Sequence, residues 1–295
     1  MSGDCIQRKI AIVKNRTILG IDVGEDYLDV AMLGANRTTL SHHRVPIAGI
    51  ETPVVESLAR RVADAVGRDL RGGLAFVDSP RTPRDVDCSG AKLLPRSDAP
   101  RARVIDESLR ELLRMRFNGT MRPLSMFPTP LASYFAGCAA DSRCKPHLRA
   151  IAEEIFASVI EIPRGRKTTS LAGGTFTRFM LAGFALFPVL EVLGVRAFEA
   201  YPDLQMRLWS AGVRLPPKRL RKEALRVRRK ICTRLAKIVG VTSYQSSRTM
   251  DEADAAILAL SAAASAATGS LLELYCPPEG RFAVGFDRDV SRPRA

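Results

Sequence analysis

At 295 residues the chain can bury a sizeable core in one large or two small domains, and a content of 46% hydrophobic and 26% charged residues is ordinary for a globular protein. Its 45 Lys and Arg against 31 Asp and Glu leave a formal charge of +14, which favours a polyanionic partner, nucleic acid first. The most apolar stretch, Phe179–Gly194, contains Pro188 and Glu191 and falls short of the ~20 residues of a membrane span, so no membrane association is expected.

Six cysteines are scattered without a CxxC pair, and the N-terminus does not read as a signal peptide. Reduced thiols in a cytoplasmic protein are the expectation. Cys138, Cys144 and His147 lie close together, but a zinc site needs about four ligands and no fourth stands nearby.

Residues 1–16 are polar and basic and read as a loose arm or irregular lead-in. Thr17–Leu33, TILGIDVGEDYLDVAML, reads as a strand, a tight turn at Gly24 and a second strand over Tyr27–Leu33. Ile18, Gly20 and Asp22 share one face of the first strand, and Leu19, Ile21 and Val23 the other. A lone Asp ending an apolar run needs a partner or a cation. Glu25, Asp26 and Asp29 read as turn and outer-face residues, outside the chemistry. Arg37–Val45 supplies a third strand and completes an antiparallel meander.

Thr52–Leu70 reads as a helix, capped by Thr52 and opened by Pro53, with Val54, Val55, Leu58, Val62, Ala65 and Val66 on one face. Leu74–Pro80, LAFVDSP, is a short buried strand that ends in Asp78 and is stopped by Pro80. Residues 81–170 form an irregular, Pro- and Arg-rich insertion with expected helices at Asp106–Phe117 and Lys145–Ile160. Its arginines at 81, 84, 96, 101 and 103 either face phosphates or solvate a long loop.

Leu171–Gly194 reads as a buried helix, and Val195–Pro202 as another buried strand, carrying Glu199 and ended by Pro202. Pro216–Gly240 is a long amphipathic helix with ten Lys or Arg and one acid, Glu223, between Lys218 and Lys237. Leu220, Ala224, Val227, Ile231, Leu235 and Ile238 form its apolar side. Such a cationic face is usually only solvated. Its density here makes Lys218, Arg219, Arg221, Lys222, Arg226 and Arg229 candidates for phosphate contact.

The last helix, Thr249–Thr268, opens with Thr249 as N-cap and Glu252 three residues on, a capping box that gives Glu252 a structural task. Asp251 favours the helix dipole. Asp254 lies past the capping positions, three residues from Asp251 and on the same side. The tail, Leu272–Phe286, reads as a hairpin around PPEG.

Strands ending in Asp22, Asp78 and Glu199, with a late helix opening on Asp251 and Asp254, suggest one site. In open α/β sheets ligands bind beyond the carboxyl ends of the strands, and neighbouring strands lie ~4.8 Å apart. Clustered acids cannot all stay ionised without a counter-charge. Mg²⁺ or Mn²⁺ supplies it through oxygen ligands, and two such ions ~4 Å apart support phosphodiester cleavage.

This order of elements resembles the ribonuclease H-like fold. More narrowly, GIDVG (20–24), FVDSP (76–80), RVIDESLR (103–110), FEAYP (198–202) and DEADAAILALSAA (251–263), with the PPEG tail, resemble domain-of-unknown-function family 429, whose members are predicted nucleases. The resemblance implies a single α/β domain over residues 1–295. It would hold a mixed sheet, a three-strand antiparallel meander plus parallel strands, flanked by helices, with 81–170 as an insertion. It implies Asp22, Asp78, Glu199 and Asp254 as catalytic residues, and Asp22, Asp78, Asp251 and Asp254 as ligands of two Mg²⁺ or Mn²⁺ ions.

The first motif by itself equally resembles the opening of DEDD-type transposases, Holliday-junction resolvases, and sugar kinases or actin-like ATPases. Two other functions therefore stay open. An actin-like phosphotransferase would need a second phosphate hairpin, for which Gly173-Gly174-Thr175 is the candidate. A non-catalytic nucleic-acid-binding protein of the same fold would bind with strong salt dependence and no cleavage.

Overall fold

Alternation within the first apolar run sets the architecture. In the computed structural model, which describes residues 6–11, 16–24, 27–47, 54–67, 69–79, 183, 186–210, 213–276 and 280–284, that run becomes an inner strand of a mixed sheet. Strands β2 (Ile18–Val23), β3 (Tyr27–Leu33) and β4 (Thr39–Pro46) form the expected antiparallel meander. After helix α1 (Val54–Val66), strand β5 (Leu74–Asp78) pairs parallel to β2, and β6 (Arg196–Glu199) pairs parallel to β5. Helices α2 (Pro202–Trp209), α3 (Arg221–Ile238) and α4 (Met250–Thr268) follow, with the two-residue strand β7 (Ser243–Tyr244) before α4. The hairpin β8 (Ser270–Cys276) and β9 (Gly280–Val284) closes the described chain.

The sheet order is β1-β8-β9-β6-β5-β2-β3-β4-β7. Strand β1 (Ile6–Ala11) corrects the expectation of a loose arm: it lies at the sheet edge, antiparallel to β8 from Ile6↔Tyr275 to Ala11↔Ser270. Its polar IQRKIA sequence becomes a strand only because a partner far along the chain offers a free edge. Helix α2 was also not expected. Pro202 does more than stop β6, since it stands at the start of a helix, where its missing N–H costs nothing.

Each face of the sheet has its own core. Leu19, Ile21, Val23, Leu28, Val30 and Val77 pack under α1 and a helical segment at 186–192. Ile18, Ala31, Leu33, Phe76 and Phe198 face α2, α3 and α4. Helix α4 is apolar nearly all round and buried for most of its length, as a helix covered on several sides must be. The expected apolar helix at 171–194 is described only in its last turns. The expected helices at 106–117 and 145–160, the arginines of the insertion and the Cys138, Cys144 and His147 group lie outside the described residues.

One contact fixes the height of α4 over the sheet. A Cβ on Gly20 would stand 2.1 Å from the Ala255 carbonyl oxygen and 2.3 Å from the Ala259 backbone nitrogen. Glycine at 20 lets the α4 backbone rest directly on β2. From that contact, two residues along β2 lead to Asp22, about 6.6 Å at ~3.3 Å per residue. One turn back along α4 leads from Ala255 to Asp251, about 6 Å at 1.5 Å per residue. The matching distances bring the acids of α4 over the end of β2.

Candidate metal centre

Strand parity decides which acids meet. The Gly24 N–H donates to the Tyr27 carbonyl at 2.9 Å and closes the β2–β3 hairpin, which sets Asp22 opposite Asp29. Parallel pairing sets Asp22 beside Asp78. Paired residues share a face, so Asp78, Asp22 and Asp29 form a row across three adjacent strands, on the side covered by α4.

Oxygens of Asp22, Asp29 and Asp251 all lie within 4.8 Å of one another. Asp29, set aside in the sequence as an outer-face residue, is only 4% exposed and receives a two-pronged bond from Arg44, both at 3.0 Å. Hairpin register carried the missed signal: the bond from Gly24 to Tyr27 and the pairing of Val23 with Leu28 place 29 across from 22. Burial raises the Asp29 carboxyl, and Arg44 partly offsets that rise.

The other half of the row is built differently. Asp254 is 2% exposed, and both of its oxygens are occupied. Arg228 Nη1 donates to Oδ1 at 2.9 Å, and Lys218 Nζ donates to Oδ2 at 2.9 Å. Arg228, itself buried, also bonds Asp203 at the start of α2, so a single guanidinium ties α2, α3 and α4 together. Burial opposes charge on Lys218 and Arg228, but Asp254 and Asp203 outweigh it, and both cations are held more firmly protonated than usual. On Asp203 burial is likewise outweighed, by Lys218 and Arg228, and its carboxyl is held below the usual range.

Asp22 joins the two halves. Burial first, then the nearby Asp78 and Asp254, push its carboxyl well above the usual range. Burial also raises Asp78, to about 7; Lys218 and a hydrogen bond with Asp22 pull against that rise, and Asp254 and Asp203 add to it. Two carboxyls this close without a bound cation share a proton rather than both ionise.

Glu199 does not reach this cluster. Its register partner is Val77, on the opposite face from Asp78, and it is buried there with the Tyr201 hydroxyl donating to it. The one-residue offset between Glu199 and the position level with Asp78 reverses its direction, so the expectation that four strand and helix acids including Glu199 converge is corrected. Glu252 keeps its capping role: its N–H donates to Thr249 Oγ1 at 3.1 Å, while its carboxylate accepts from the Arg248 N–H at 2.5 Å. The box is thus closed on Arg248, one residue before the N-cap.

The cationic residues also separate. Arg219, Arg221, Lys222 and Arg226 are exposed. Arg229 donates to the Ser247 and Arg248 carbonyls and fastens the segment leading into α4. With Arg226, Lys230, Thr233, Arg234 and Lys237 it lines an open, positively charged concavity on α3. Lys218, expected on that surface, turns its ammonium to Asp254 instead.

The donor set at Asp22, Asp29 and Asp251 consists of hard carboxylate oxygens gathered to a size that suits one divalent ion such as Mg²⁺ or Mn²⁺. Asp254 is less available than Asp29: it is held by two cations, Lys218 and the buried Arg228, whereas Asp29 carries the half-exposed Arg44 alone.

No family model matches the chain, and no curated protein does. Among solved structures, T. thermophilus RuvC in complex with Holliday junction substrate is similar at 12% identity and a TM-score of 0.34, over 86% of this chain and 94% of that one. A likeness that weak carries nothing about activity. Among the described residues, no helix is long and apolar enough to cross a membrane.

Proposed function

We propose that this protein is a divalent-metal-dependent nuclease with a ribonuclease H-like fold, hydrolysing phosphodiester bonds of nucleic acid. The observation that carries the reading is the row Asp78, Asp22 and Asp29 on adjacent strands, roofed by Asp251 and Asp254. Acids of like sign in such number, Asp29 and Asp254 buried and the others half-buried, destabilise a fold, and they make sense where a cation is to be held. The meander followed by parallel strands supports the fold assignment, and membership of domain-of-unknown-function family 429 rests on the quoted motifs.

Asp22, Asp29 and Asp251 would hold the ion. When bound, it would offset charge on a phosphate and make a water easier to deprotonate. Asp78 lies against Asp22 and fixes that carboxyl by their hydrogen bond. Arg228 holds Asp254 and keeps the roof of the site in place. The exposed Arg219, Arg221, Lys222 and Arg226 on and before α3 are suited to hold a phosphate backbone. Hydrolysis adds water across a P–O bond, leaving a phosphomonoester and a hydroxyl, so it needs no redox partner.

The test is cleavage of labelled single-stranded, duplex and junction DNA and of RNA with Mn²⁺ or Mg²⁺, beside the Asp22→Asn variant. Asp22→Asn should lose cleavage while keeping its circular dichroism. Equal cutting by both proteins would overturn the assignment.

A further inference from the structure

The acid cluster has two halves that share Asp22, and they are not equivalent. On the β3 side, Asp22, Asp29 and Asp251 converge, with Arg44 approaching Asp29 as the cationic partner. On the β5 side, Asp78, Asp254 and Asp203 surround Lys218 and Arg228. Arg228 is bound on two sides and buried, as a structural tie would be. Lys218 is different: its side chain is 54% exposed, yet its ammonium is bonded to an almost fully buried carboxylate.

The chain around Lys218 makes this position reproducible. It follows Pro216-Pro217, whose fixed φ angles stiffen the approach to α3. The Leu220 N–H donates to the Pro217 carbonyl at 2.9 Å and closes a turn with Lys218 in it. A flexible surface lysine would be solvated, whereas this one is delivered to the acids by a rigid turn.

Resting on the metal-dependent reading above, we propose that Lys218 is a built-in counter-ion in the β5-side half of the cluster, so that the site takes one divalent ion, at Asp22, Asp29 and Asp251, rather than two. Lys218 adds its charge to that of Arg228 at Asp254, so a second ion there would meet two cations, whereas the ion at Asp29 meets only the half-exposed Arg44. Lys218 is therefore a positioning residue. It keeps Asp254 satisfied without metal and places an ammonium within electrostatic reach of Asp22.

Calorimetric titration of the full chain with MnCl₂ at pH 8 tests this, with and without Lys218→Met. The wild type should bind about one Mn²⁺ per chain and Lys218→Met about two, because a site emptied of its ammonium becomes open to a second ion. Asp29→Asn should weaken the first ion roughly tenfold or more, as loss of one carboxylate ligand predicts. Two ions in the wild type would overturn the role of Lys218 and leave the nuclease reading standing. No bound ion would overturn both. One ion in both the wild type and Lys218→Met would show that Lys218 does not block a second site, and would also overturn the proposal.

Discussion

Replacing Gly20 with alanine tests whether the height of α4 over β2 controls the site. The new Cβ would stand 2.1 Å from the Ala255 carbonyl oxygen, where ordinary contact begins at 3.4 Å, so helix and strand must part by about 1.3 Å. All three atoms it meets on α4 belong to backbone, and no side-chain rotation relieves the overlap. Overpacking of a core costs ~1–3 kcal/mol, and an unyielding backbone contact sets the expectation at the upper end, ~3 kcal/mol. At ~2–4 °C per kcal/mol for a chain above 150 residues, the melting temperature should fall by about 6–12 °C. The same displacement lifts Asp251 away from Asp22 and Asp29. Mn²⁺ affinity should then drop more than tenfold even well below the melting temperature. Adding Ala259→Gly should not rescue either property, since the clash is with the Ala255 carbonyl oxygen and the Ala259 backbone and not with a methyl group. Differential scanning fluorimetry with and without Mn²⁺ reads both effects. A Gly20→Ala protein melting within 1–2 °C of wild type, with unchanged Mn²⁺ affinity, would refute the account of how α4 is seated.

Other expectations concern charge. Burial and acid neighbours raise Asp22 and Asp78, the latter to about 7, so the native metal-free protein holds more protons than the unfolded chain, whose carboxyls titrate near ~4. In chelator its melting temperature should therefore decline as pH rises from about 4 through 7, and stabilisation by Mg²⁺ should grow over the same window; Asp78→Asn should flatten the decline, and a rising melting temperature in chelator would contradict it. Arg228→Ala strips a buried cation from Asp254 and Asp203 and should cost ~3–5 kcal/mol in chemical denaturation. Binding to duplex DNA, followed by fluorescence anisotropy across salt concentrations, should lose ~0.9 of log–log slope for each contact removed in an Arg221, Lys222 and Arg226 alanine series. An unchanged slope would place the phosphate path elsewhere than α3.

Local chemistry made much of the frame legible. Period-two alternation marked β2 and β3, Asp78 before a proline marked the end of β5, and Thr249 with Glu252 marked the start of α4. Asp22 stood out as a charge at the end of an apolar run, and that signal needs no partner to be seen. What sequence could not supply is the identity of its neighbours. Asp29 and Glu199 are both strand acids, and only register separates them: one sits directly across from Asp22, the other one residue out of step with Asp78 and therefore on the far face. Asp203 was hidden because Pro202 read as a stop rather than a helix start.

Lys218 shows the same division at the level of charge. As a letter in a run of ten basic residues it is indistinguishable from Arg219 or Lys222, and a cationic helix face is the natural reading. Tertiary structure alone turns it inward, because a proline-stiffened turn delivers it to Asp254 while its neighbours remain in solvent. The sequence by itself determined that acids end the central strands and that a basic helix follows them. Which acids meet, and which base they meet, was decided by strand register and by a glycine that lets one helix backbone lie directly on the sheet, since those set distances that no local pattern encodes.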